Sequence, residues 1–273
     1  MRNNAQKTVQ RMSKTRKHYW VKFVMRVIIF IIVSLLFIFR SHHNQFDILD
    51  GFNFFKNFSV FHILWLLWMV DMFYQLIPIK GYIAIGSRKN FKHRFKPIIQ
   101  RFNNESLKKY IKSNNKSAYF VLLLWIALIS IVGVLWRNKV IDNSFLLLIS
   151  VAFYVFDLIC VLIWCPFRLI LKTKCCTTCR IFNWDHMMMF TPMIFITGFF
   201  SFSLLTIALI IWIIWEFCVL LYPERFWENS NAALKCSECT DKLCTQYCQK
   251  LRKNDKWDIK NAIQFWIAFF III

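Results

Sequence analysis

Glycine and proline are scarce, five each in 273 residues, so no long flexible or proline-stiffened linker separates this chain into parts. Acids are also few, 14 against 35 lysines and arginines, and the first 26 residues carry eight basic side chains and no acid. There is no Ser, His and Asp nucleophile pattern, phosphate loop or dinucleotide fingerprint, which leaves no enzyme class marked by motif. A small-x-small cleavage site is missing after the first apolar run, which ends at Phe39-Arg40-Ser41-His42, so that run is read as an uncleaved span.

What the chain has instead is apolar side chains, 58% of all residues, with 30 Phe and 12 Trp. Runs near 20 residues recur, the length needed to cross a hydrocarbon core of about 30 Å. The expected fold is an all-α integral membrane protein: a six-span helical bundle of three hairpins with a cysteine-rich module on its cytoplasmic face. The spans are Tyr19 to Phe39, Phe58 to Ile79, Ala118 to Trp136 and Phe145 to Trp164, then two in Met187 to Tyr222. That last segment has 36 residues and one charge, Glu216. As one helix it would be roughly 54 Å long, so a hairpin turning near Gly198 to Ser203 is expected.

The domain plan that follows is a four-span region over 1–164 with a basic loop at 80–117, a first cysteine loop at 165–186, the hairpin at 187–222, a second cysteine loop at 223–261 and an apolar tail at 262–273. The tail has 12 residues, too few to span, and reads as an interfacial anchor or a docked helix.

The net charge of +21 would suggest nucleic acid in a soluble chain. Here 31 of the 35 basic residues fall in segments that this plan puts inside, the bias that the positive-inside rule produces, so nucleic acid is not the expected partner. The amino terminus and both cysteine loops are then cytoplasmic, facing an anionic inner leaflet. In the basic loop Phe91, Phe95, Ile98 and Phe102 recur at helical steps, which fits amphipathic helices lying on lipid as well as a solvated loop that only sets topology. Lys22 and Arg26 lie near enough to the end of the first span to snorkel.

Eight of the ten cysteines lie in the two loops: Cys165, Cys175, Cys176 and Cys179 in the first, Cys236, Cys239, Cys244 and Cys248 in the second. Cys176 with Cys179, and Cys236 with Cys239, have the Cys-x-x-Cys spacing in which two thiolates from one tight turn reach a single tetrahedral ion. Two such units complete a four-sulfur site, and the other four cysteines supply a second. Zinc is the expected metal, because the ferredoxin and radical-type cysteine runs are missing. An iron–sulfur cluster is the alternative, and disulfides or plain thiols follow if the loops face out. Cys160 and Cys218, inside spans, read as small packing residues.

Asp71, Asp157 and Glu216 are the acids within the spans, each seven to nine residues before a proline, Pro78, Pro166 or Pro223. They therefore share a depth of roughly 10 to 14 Å from the inside end. A charge in hydrocarbon costs about 2.5 to 3.5 kcal/mol on insertion scales unless it is paired. Either the three face the interior as a cation or proton site, with Gln75 on the Asp71 face, or they are hydrogen-bonding glue between helices. His62 lies on the opposite helix face from Asp71 and reads as an interfacial or packing histidine. His186, in Trp184-Asp185-His186, is a further ligand for the cysteine site or marks the start of span five.

Three functions remain open on this reading. The first is a structural or regulatory interaction module built on a cytoplasmic cysteine-ligated metal. The second is an iron–sulfur redox protein, and the third a cation- or proton-coupled transporter using Asp71, Asp157 and Glu216.

Overall fold

The computed structural model describes residues 14–39, 45–56, 58–77, 92, 95–98, 103–163, 165–171 and 179–235. Among the described residues the regular structure is all helical: α1 (Lys14–Ile38), α2 (Val60–Leu76), α3 (Asn104–Arg137), α4 (Asn143–Leu162), α5 (Phe167–Leu171), α6 (Asp185–Phe190) and α7 (Phe199–Leu221). Short 3₁₀ turns fill several connections, including Thr191–Phe195 directly after α6. Four of these helices, α1, α3, α4 and α7, are long and apolar enough to cross a membrane. The apolar α2 is shorter at 17 residues, about 26 Å.

Helix ends are set by local side chains. Asp142 accepts from Phe145 N to cap α4, and Asn103 accepts from Glu105 N to cap α3. At the start of α2, Ser59 accepts from Phe61 N while its own N–H donates to His62 Nδ1. With Nδ1 accepting, His62 Nε2 carries the proton and donates to Phe54 O at 2.8 Å. His62 is thus a capping residue that ties α2 to the preceding turn, a finer role than packing.

α4 is the axis of the bundle: 67% of its most apolar window is buried, against 11% in α1 and α3. α1 packs along it, α2 packs on α7, and α6 fits against α4 and α7. Arg26 meets Asp157 at one end of the α1–α4 pair and Phe37 meets Phe145 at the other, so the two helices are antiparallel. The core is aromatic, with Trp68, Phe61, Tyr154, Phe190 and Phe200 each almost fully buried. Edge-to-face contacts join Trp68 to Tyr154, Phe190 and Phe200.

One end of the bundle closes on two glycines. Gly51 N donates to Thr197 O and Phe199 N donates to Gly51 O, at 2.8 and 3.0 Å. Gly51 has φ +56°, which favours glycine, and a Cβ on Gly198 would lie 2.0 Å from Leu49 O. This lock sets the sharp entry into α7.

Two expectations change here. The first limb of 187–222 is not a span-length helix. α6 stops at Phe190 and passes into the 3₁₀ turn containing Pro192, whose ring nitrogen cannot donate to a helical ladder. A 3₁₀ turn rises about 2.0 Å per residue, so 185–195 still climbs roughly 19 Å. It does so beside α3, with Trp125 Nε1 donating to Thr191 Oγ1 and Phe195 stacked on Trp136.

The second change is in the basic loop. Residues 104–117 are the first turns of the 34-residue α3, carried forward without a break from the apolar part. Residues 95–98 are extended instead of amphipathic helix: Ile98 N donates to Ser230 O and Ala232 N to Lys96 O. Phe91 and Phe102 lie outside the described residues.

Candidate functional site

Arg26 is the hub of the polar interior. It lies midway along α1 and is 4% exposed, so it does not snorkel; it is held from three sides. Nη1 donates to Asp157 Oδ2 at 2.6 Å and to Tyr154 O at 2.7 Å, and Nη2 donates to Asp71 Oδ2 at 3.0 Å. The guanidinium carbon also sits 3.8 Å from the Tyr154 ring centre, a cation–π contact. One helical turn earlier, Lys22 Nζ donates to Asp71 Oδ1 at 2.9 Å. Spacings of three and four do this work: Lys22 and Arg26 share a face of α1, Tyr154 and Asp157 a face of α4, Asp71 and Gln75 a face of α2. Planar donors on a rigid fork let one arginine join three helices, which lysine could not do.

A second layer reaches α6. Gln75 Nε2 donates to Asp185 Oδ2 at 3.1 Å and lies 3.0 Å from His186 Nδ1. His186 is 3% exposed; its Nε2 is 3.9 Å from Asp71 Oδ2 and its Nδ1 is 3.3 Å from Asp185 Oδ1. Beyond this node toward the Gly51 end lie Trp68 and Phe190, both fully buried. The polar node therefore stops at an apolar plug.

Glu216 belongs to a different group. Arg180 Nη1 and Nη2 donate to its two oxygens at 2.9 and 2.6 Å, a bidentate pair, and Trp184 Nε1 donates to Oε1 at 2.7 Å. Trp215 Nε1 donates to Arg180 O at 2.9 Å. The three intramembrane acids are thus divided: Asp71 and Asp157 meet on Arg26, while Glu216 binds Arg180. Both sets have arginine partners, which matches the glue alternative more closely than a single three-carboxylate cation site.

The cysteines are partly in view. Cys165, just before α5, and Cys179 are buried, and Cys179 lies in an apolar cluster with Leu171, Ile181, Trp184, Trp215, Val219 and Phe226. Cys175, Cys176, Cys236, Cys239, Cys244 and Cys248 lie outside the described residues, as does the tail. Among the described residues no group of three or more His, Cys, Asp or Glu side chains is placed to hold a metal. Cys160 and Cys218 are half-buried thiols on α4 and α7. His186 is drawn into the Arg26 node, beside Gln75 and Asp185.

The sequence reading gave Lys22 and Arg26 only a snorkelling role and assigned none to Asp185 or Arg180, all of which hold the buried polar groups. For Arg26 a signal existed: it lies seven residues into span one, about 10 Å deep, the same depth as the acids. For Arg180, beside Cys179 in a loop, no periodicity points to Glu216. No protein-family model, curated protein or solved structure matches the chain.

Proposed function

We propose that this is a six-crossing membrane protein that carries a cysteine-ligated metal, zinc in the first instance, on its cytoplasmic face and uses that module as a structural or regulatory interaction surface. Cys165, Cys175, Cys176, Cys179, Cys236, Cys239, Cys244 and Cys248 are the proposed ligands. Zinc held by four thiolates would supply folding energy and no redox chemistry.

One observation carries the reading: the roots of the two cysteine segments pack together. Cys179, Ile181 and Trp184 from the first share an apolar cluster with Trp215, Val219 and Phe226, which lead into the second. The Arg180–Glu216 bidentate pair bolts the first root to α7 one residue after Cys179. The chain then continues through Asn231, whose Nδ2 donates to Arg225 O, to Lys235 beside the second cysteine run. Loops that start from one packed platform can reach a common ion at small entropic cost.

In this proposal the limb at 185–198 makes the fifth crossing as a thin α6 and 3₁₀ segment sheltered by α3, α4 and α7, since irregular backbone within a membrane is tolerated only where protein covers it. The test is metal content and visible absorption of the purified protein, with limited proteolysis of Cys176→Ser and Cys239→Ser. Stoichiometric zinc lost in both variants, with both loops becoming cleavable together, is the expected result. Iron with broad visible absorption would move the chain to the redox class. Absence of bound metal, or labelling of Cys176 by an impermeant thiol reagent on intact cells, would overturn the proposal.

A further inference from the structure

Among the described residues, the node between α1, α2, α4 and α6 has more carboxylates than cations: Lys22 and Arg26 from α1 against Asp71 from α2, Asp157 from α4 and Asp185 from α6. His186 decides the balance. With the Gln75 amide oriented as it stands, Nε2 donates to His186 Nδ1 at 3.0 Å, the arrangement of a neutral ring with its proton on Nε2. Turning the Gln75 amide over would put its oxygen against Asp185 Oδ2, a repulsive contact in place of the 3.1 Å hydrogen bond. With all three carboxylates ionised, these described side chains carry a net charge of −1 in a mostly buried setting.

The unpartnered atoms mark where the missing charge belongs. Asp185 Oδ1, Gln75 Oε1 and His186 Nε2 are buried without a hydrogen-bond partner. Asp185 Oδ1 faces His186 Nδ1 at 3.3 Å with no hydrogen between two acceptors. Gln75 and His186 are 8% and 3% exposed, so water outside the bundle does not satisfy them. Two of the three, Asp185 Oδ1 and Gln75 Oε1, are acceptors on neighbouring hydrogen-bonded side chains, and buried acceptors left in this state are costly.

We propose that this node is a binding site for one monovalent positive charge, a proton or a small alkali cation, taken up between Asp185, Gln75 and His186. As a proton it sits on His186 Nδ1, donates to Asp185 Oδ1, and requires Gln75 to release the ring. As an alkali ion it is ligated by Asp185 Oδ1 and Gln75 Oε1. The charged and titratable groups that face it are Lys22, Arg26 and, beyond Lys22, His18 from α1, Asp71 from α2, Asp157 with Tyr154 from α4, and Asp185 itself; α7, which also packs on α6, commits its acid Glu216 to Arg180. Entry is from the Lys22 side, where Lys22 and Asp157 side chains keep 24% and 22% exposure, because Trp68 and Phe190 close the other side. The site is thus one-ended: it senses charge from one face of the bundle and does not pass it through.

The experiment uses the full chain in nanodiscs and reads the unfolding midpoint from tryptophan fluorescence. In one arm pH is varied from 5 to 8 at constant salt; in the other, at pH 8, choline is replaced by sodium or potassium at constant ionic strength. A charge bound only by the folded node stabilises it by mass action, so Tm falls by several degrees as pH rises if the ligand is a proton, or rises with the alkali ion but not with choline. Asp185→Asn removes the excess negative charge and flattens whichever response the wild type shows. Gln75→Glu adds a second uncompensated carboxylate and steepens it, which keeps the test decisive if Asp185→Asn does not fold. A wild-type protein indifferent in both arms, an Asp185→Asn variant with the wild-type response, or a Gln75→Glu variant no steeper than wild type would each overturn the assignment.

Discussion

The two buried arginines make instructive opposites. Arg180 faces one carboxylate squarely: both Glu216 oxygens take a guanidinium nitrogen, and Trp184 adds a third donor. Charge is balanced one to one, and what the group joins is local, a loop root to α7. Arg26 is divided between Asp71 and Asp157, shares Asp71 with Lys22, and touches a second layer of Gln75, Asp185 and His186 that has acceptors to spare. A charge-balanced pair acts as a bolt: Arg180 Nε is left without a partner, but no Glu216 oxygen is left over for a cation to take. An open, unbalanced node holds helices together and still responds to an added charge.

The largest effect expected from breaking this contrast is at Arg26. Arg26→Met leaves two carboxylates facing each other across α2 and α4, and removing one partner of a buried pair costs about 3–5 kcal/mol. Little folded, monodisperse protein should be recovered in detergent. Arg26→Lys should fall between, since an ammonium cannot bridge both acids and also stack on Tyr154. If Arg26→Met is as stable as wild type, the node does not hold α1 in place.

Arg180→Met should cost somewhat less, about 3 kcal/mol, and its signature is partial rescue. Arg180→Met with Glu216→Met replaces the whole pair by apolar groups of similar size, which is often close to neutral for buried ion pairs. A double-mutant cycle on Tm therefore shows strong coupling here. The analogous removal of Arg26 and Asp71 together leaves Asp157 and Lys22 unmatched and should rescue poorly. Equal rescue at the two places would erase the distinction between bolt and node.

Neutralising single acids is milder. Asp157→Asn keeps an oxygen for Arg26 and relieves the excess charge, so the variant should fold with a change of about 1 kcal/mol or less. Glu216→Gln weakens a balanced bidentate pair and should cost more, roughly 1.5–3 kcal/mol, the range for hydrogen bonds to charged groups. The order, Glu216→Gln worse than Asp157→Asn, is the checkable content. Trp184→Phe takes one donor from the Glu216 carboxylate and should lower stability by about 1.5 kcal/mol, the low end of that range.

Apolar runs and charge counts were enough to read α1, α2, α4, α7 and the C-terminal end of α3 within about five residues, because a stretch of some twenty apolar residues has few ways to satisfy its backbone other than a helix. The same reading missed the N-terminal extension of α3, since lysines at 108, 109, 112 and 116 mark an end of the apolar run but not of the helix, which tolerates them on its exposed side. It also drew 187–198 as a full helix, where Pro192 and the Gly51–Gly198 lock produce a shorter, irregular climb.

Composition alone determined that the acids at 71, 157 and 216 need partners, because an unpaired charge away from water is expensive wherever it sits. Which partner each one finds was decided by the tertiary structure. Arg26 is 45 residues from Asp71 and 131 from Asp157, and Arg180 is 36 from Glu216, separations at which no helical period connects two side chains. Only the antiparallel packing of α1 on α4, and the turn of the chain after Cys179 onto α7, bring them within hydrogen-bond reach.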